Sequence, residues 1–184
     1  MQRGKYVSQT VGMPIQRLNH AVLYVRELER TKAFYTEVLD FQVVHEIPGM
    51  GLFFQAPGST NDHDLGTFAI GDRAGPSQAG TTTVGLYHLA WEVDTLAELE
   101  RLAGVLSERG ALAGASDHGS TKSLYAHDPD GNELEVVWIV PLDQLDGAGI
   151  VRKMGEPLDI AAENARYGAD TLGGVGLSHP GVPS

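Results

Sequence analysis

Seven histidines, no cysteine and a glutamate set inside an apolar run are the residues from which this chain could build chemistry. Two of the histidines occupy equivalent places. His20 sits in Leu18-Asn19-His20-Ala21-Val22-Leu23-Tyr24-Val25. His88 sits in Leu86-Tyr87-His88-Leu89-Ala90-Trp91-Glu92-Val93, an offset of 68 residues. The offset persists without a gap, so that Leu28 falls on Leu96, Phe34 on Leu102 and Val38 on Leu106. A lone histidine in an apolar strand is usually structural. Two at one register of a repeat are different, because an approximate two-fold between the copies would bring both imidazoles to one interior. The acid that could join them is Glu135. In Glu133-Leu134-Glu135-Val136-Val137-Trp138, period-two alternation puts Glu133, Glu135 and Val137 on one face and Leu134, Val136 and Trp138 on the other. Glu133 lies beside a turn and can reach water. Glu135 lies deeper and needs a partner. Two imidazoles and one carboxylate leave three positions of an octahedron open, which suits a non-heme Fe(II) that binds a chelating substrate and O2 together.

The elements that must position these groups follow from the repeat. In the first copy Arg17 to Val25 reads as a strand. Glu29 to Leu39 reads as a helix with Thr31 as its cap, and Phe41 to Ile47, Leu52 to Gln55 and Leu65 to Ile70 read as strands. A Gly/Ser/Thr-rich linker spans Gly71 to Thr82. The second copy repeats the order: strand Val84 to Val93, helix Leu96 to Arg109, then strands Ala111 to Ala115, Lys122 to His127 and Glu133 to Val140. Asp128-Pro129-Asp130-Gly131 is a tight turn ahead of the last strand. The fold class is therefore α+β, with two tandem β-α-β-β-β modules. Beyond Pro141 only a short helix, Leu158 to Tyr167, is expected, before a Gly/Pro-rich tail.

Composition narrows the function. The 184-residue chain carries a formal net charge of −11, which disfavours nucleic acid and anionic membrane as partners. Without cysteine there is no disulfide, thiolate metal site or cysteine nucleophile, so any metal must be held by nitrogen and oxygen. Met1 to Val11 lacks the apolar core of a signal peptide, and no stretch is long enough to span a bilayer. A cytoplasmic location is the expectation.

Leu18-Asn19-His20-Ala21, Phe34-Tyr35 and Val38-Leu39-Asp40-Phe41 in the first half carry one part of a family pattern. His88-Leu89-Ala90-Trp91 and Asp128-Pro129-Asp130-Gly131-Asn132-Glu133-Leu134-Glu135 carry the other. On these residues the span from about Arg17 to Val140 resembles the vicinal oxygen chelate superfamily. That superfamily includes glyoxalase I, fosfomycin-resistance proteins, methylmalonyl-CoA epimerase, bleomycin-binding proteins and extradiol catechol dioxygenases. The resemblance implies a cupped mixed sheet around a metal site. The chain would divide into an N-terminal arm (1–15), a vicinal oxygen chelate domain (16–140, modules about 16–71 and 83–140) and a C-terminal extension (141–184).

Three further segments resemble the extradiol, single-domain catechol 2,3-dioxygenase-like members. In Asn61-Asp62-His63-Asp64 the resemblance makes His63 the acid–base group. Tyr125, ten positions before Glu135, would hydrogen-bond a substrate oxygen, and His118 in Asp117-His118-Gly119 would be a loop histidine beside the substrate. The resemblance implies Fe(II) held by His20, His88 and Glu135, with Mn(II), Zn(II) and Ni(II) as alternatives. Its substrates would be a small aromatic diol and O2, and its assembly a homodimer. Phe53, Phe54 and Trp91 would line the aromatic pocket. The competing readings are a glyoxalase I-type lyase or isomerase, a fosfomycin-type thiol transferase and, third, a metal-free small-molecule binding protein. The first of these wants a fourth protein ligand, for which only Asp64 offers itself. His45, His127 and His179 are read as structural.

Overall fold

The computed structural model describes residues 17–79, 82–145 and 152–174. The expected arm at 1–15, His179 and most of the Gly/Pro-rich tail lie outside them. Two mixed sheets form, one from each module. The first has the order β1-β4-β3-β2, from Ala21–Val25, Leu65–Ala69, Gly51–Gln55 and Gln42–Ile47. The second has the order β5-β8-β7-β6-β9, from His88–Glu92, Glu133–Ile139, Thr121–His127, Leu112–Gly119 and Arg152–Pro157. In each, the module's first strand pairs in parallel with its last, and every other pairing is antiparallel. The α+β class and the repeated β-α-β-β-β order are both present, with each module closing its own sheet.

The helices form where apolar spacing and capping agree. In α2, Leu96–Glu108, Thr95 accepts from the Glu98 backbone N–H, and Leu96, Leu99, Leu102 and Leu106 fill the core. Gly110, at φ +64, ends it in the left-handed conformation that a side chain would disfavour. In α1, Leu28–Glu37, the expected cap Thr31 is wrong. The Glu27 carboxylate accepts from the Glu29 and Arg30 N–H groups, while Thr31 is buried one turn in and donates its hydroxyl to the Glu27 carbonyl at 2.9 Å. A glutamate is long enough to reach back over the first turn, a use that cap preferences rank low.

The core lies on one face of each sheet, beneath the helices. Leu52, Phe54 and Leu65 of the first sheet and Leu124, Ala126, Leu134, Val136 and Trp138 of the second are buried. The modules lock through polar contacts around the 128–132 turn. Asp130 accepts from the Arg26 backbone N–H at 2.7 Å and pairs with Arg30 at 2.5 Å. Buried Asp128 accepts from the N–H groups of Asp130 and Asn132, both at 2.9 Å, and from the Tyr35 hydroxyl at 3.4 Å. Burial raises the Asp128 carboxyl pKa, with the Asn132 hydrogen bonds opposing it. Burial and then the Asp128 charge push the Tyr35 phenol well above its ordinary value. This turn launches β8, and so aims Glu133 and Glu135.

In the extension the expected helix is present as Ile160–Tyr167, and a strand that the sequence did not suggest joins the second sheet. Strand β9 pairs with β6, and α3, Ile160–Tyr167, is capped by Asp159, which accepts from the Ala162 N–H at 3.0 Å. Beneath them Lys122, only 1% exposed, lies 2.5 Å from Asp117 and 3.0 Å from Glu163 of α3. Lys122→Ala would leave two largely buried carboxylates without their cation. The expected cost is about 3–5 kcal/mol, read as a lower urea midpoint with an unchanged m-value.

Candidate metal centre and substrate cavity

Strand pairing sets the second-module half of the site. The parallel register of β5 and β8 places His88 opposite Glu133 and Ala90 opposite Glu135. Alternation in β8 is as expected: Leu134, Val136 and Trp138 are buried, while Glu133, Glu135 and Val137 are half-buried on the other face. His88 Nε2 lies 3.1 Å from Glu135 Oε2, and His88 Nδ1 lies 3.6 Å from Glu133 Oε1. Tyr125, opposite Glu135 on β7, holds its ring 5.8 Å from that of His88. Its hydroxyl is 2.9 Å from His118 Nε2. Burial, followed by the Glu135 charge, raises the Tyr125 pKa, so the phenol keeps its proton at neutral pH. His118 lies in strand β6, not in a loop. Asp, His and Gly suggest a turn by composition, but β6 runs on to Gly119 because β7 and β9 flank it on either side.

The first-module half is built by a polar loop. Asp64 accepts from the Ala56 N–H at 2.9 Å, the Ser59 hydroxyl at 2.7 Å and the Asn61 amide at 2.7 Å. Asn61 also donates to the Asn19 carbonyl at 2.8 Å, tying the loop to the start of β1 beside His20. His63 is thereby set with its ring 4.4 Å from that of His20 and edge-on to Phe53 at 5.2 Å, centroid to centroid. Its Nδ1 lies 2.9 Å from Asp62, and that contact lowers the Asp62 carboxyl pKa. His20 is exposed rather than buried, with Nδ1 2.8 Å from the Asn19 side-chain oxygen.

The two halves meet at a cavity of about 420 Å³ whose walls include His20, His88, Asn61, Ala90 and Trp91. His88, Glu135, Tyr125 and His118 form one group, and His20 and His63 another. Among the described residues no three His, Asp or Glu side chains stand close enough together to hold an ion. The donor set nonetheless suits a borderline-hard divalent metal. It offers imidazole nitrogens and a carboxylate, with His88 Nε2 and Glu135 Oε2 side by side at 3.1 Å. Of the three aromatic residues expected at the pocket, Phe53 reaches His63 and Trp91 lines the cavity. Phe54 is fully buried in the core, because adjacent strand residues face opposite ways. Glu133 is the residue that the sequence reading set aside. Its alternation with Glu135 was the available signal.

Residues 17–136 match the model of the Glyoxalase/Bleomycin resistance protein/Dioxygenase superfamily. The chain belongs to this superfamily. Within it, the chain is 34% identical over 126 residues to biphenyl-2,3-diol 1,2-dioxygenase 3 of Rhodococcus globerulus, covering 65% of this chain and 62% of that protein. It is 30% identical over 128 residues to the catechol-2,3-dioxygenase of Bacillus subtilis, covering 65% of this chain and 40% of that protein. The match thus spans less than two thirds of either relative. The fold is similar to that of a glyoxylase/bleomycin resistance protein/dioxygenase domain from Frankia sp. EAN1pec, with TM-score 0.57 and 24% identity, covering 67% of this chain and 91% of that one. No helix among the described residues is long and apolar enough to cross a membrane.

Proposed function

We propose that this protein is a metal-dependent extradiol-type dioxygenase that opens the ring of a small catecholic substrate with O2. The observation that carries this reading is the Tyr125–His118 hydrogen bond beside the His88–Glu135 pair. It sets a neutral phenol donor next to a nitrogen–carboxylate donor set, in a chain similar to biphenyl-diol and catechol dioxygenases. His20, His88 and Glu135 would hold Fe(II). When bound, the metal would supply Lewis-acid chemistry toward a vicinal diol and O2.

The chain's own groups do the rest. With Nδ1 of His63 turned to Asp62, Nε2 is the nitrogen free to take a proton from the diol and return it later. When His118 Nε2–H donates to Tyr125 Oη, the phenol proton is left to hydrogen-bond the substrate oxygen as charge builds there. The Phe53 ring packs against His63 on one side. A glyoxalase I-type centre is less well supplied, since the oxygens of Asp64 are already taken by Ala56, Ser59 and Asn61.

The test is O2 uptake by anaerobically purified, Fe(II)-loaded protein given catechol or 2,3-dihydroxybiphenyl. One O2 consumed per diol, with both oxygen atoms in a ring-opened product, is the expected result. Metal-loaded protein that consumes no O2 with any catechol would contradict the reading. So would turnover of a thiol or hemithioacetal substrate in its place.

A further inference from the structure

We propose that Glu133 is the positioning residue for His88, fixing which ring nitrogen is free to bind metal. The inference rests on the reading of His88 as a ligand and adds a residue to it. Because β5 and β8 pair in parallel with His88 opposite Glu133, the imidazole lies between two carboxylates of one strand. Nε2 faces Glu135 at 3.1 Å and Nδ1 faces Glu133 at 3.6 Å. His88 Nδ1 and Glu133 Oε1 are both buried, and neither has a hydrogen-bond partner among the described residues. Two orphaned polar atoms that face each other are costly unless they pair. A closure of roughly 0.7 Å would bring them to an ordinary hydrogen-bond length.

With a cation held between His88 Nε2 and Glu135, the Nε2 lone pair would be committed to it and the ring proton would sit on Nδ1, directed at Glu133. An outer carboxylate of this kind orients a ligating imidazole and increases its basicity. His20 Nδ1 in the other module also faces a side-chain oxygen, that of the preceding residue Asn19 at 2.8 Å. Glu133 also lies 3.9 Å from His127 Nε2, and its charge raises the pKa of the Tyr87 phenol.

The test uses metal-free full-length protein titrated anaerobically with Mn(II) and with Fe(II), alongside 15N imidazole shifts of His88. Wild type is expected to bind, with His88 as the Nδ1–H tautomer in the metal-bound state. Glu133→Leu should weaken binding up to about 100-fold and Glu133→Gln about 10-fold, with mixed His88 tautomers and unchanged far-UV circular dichroism. Variants that bind as tightly as wild type overturn the role of Glu133 and leave the metal centre standing. If Glu133→Leu does not fold, undiminished binding by Glu133→Gln overturns it equally. Wild type that binds neither metal overturns the metal centre, and this inference with it.

Discussion

Glu135→Gln is expected to abolish stoichiometric metal binding and to lower kcat/KM by roughly 10³-fold or more, while the protein stays folded. The glutamine keeps the shape of a side chain that projects from the half-buried face of β8, so the buried alternation of Leu134, Val136 and Trp138 is undisturbed. What disappears is the negative charge 3.1 Å from His88 Nε2. A neutral amide is a poor partner for a divalent cation, and two imidazoles alone do not provide the same donor set. Metal analysis after dialysis and steady-state O2 uptake read the two effects, and the melting temperature reads the fold. Retention of full metal content would mean that the carboxylate of Glu135 is not a ligand.

His63→Phe has the second largest expected effect, a loss of about 10²- to 10⁴-fold in kcat with metal content and KM nearly unchanged. Phenylalanine can keep the contacts His63 makes with the His20 ring at 4.4 Å and with the Phe53 edge at 5.2 Å, so packing survives. Only the proton-carrying nitrogens are removed. The split between kcat and metal content decides the role. Loss of metal along with activity would make His63 a ligand, and unchanged kcat would make it a structural residue of the 59–64 loop.

The architecture was legible because the chain states it twice. The 68-residue offset placed His20 and His88 at corresponding positions, and the alternation of β8 sorted Glu133 and Glu135 from Leu134 and Val136 without coordinates. Strand β9 was not legible. Its sequence, Arg152-Lys153-Met154-Gly155-Glu156-Pro157, has no period-two apolar signal, because an added edge strand is held by main-chain hydrogen bonds to β6. The burial of Lys122 was not legible for a related reason: the α3 helix that pairs it through Glu163 comes from a segment far along the chain. The contacts of Glu133 were not legible either, because its neighbours His88 and His127 lie on two other strands. Side-chain type and spacing therefore located the site's components. The partners that tune them depend on strand register, which the sequence states only indirectly.

His20 and His88, from the two modules, are expected to hold one metal ion together with Glu135 at the shared cavity. An anomalous-difference map at the iron edge, from crystals loaded anaerobically with Fe(II), tests it most directly. The account predicts a single peak bonded by His20 Nε2, His88 Nε2 and the Glu135 carboxylate. A peak coordinated without His20, or iron bound away from this cavity, would contradict it.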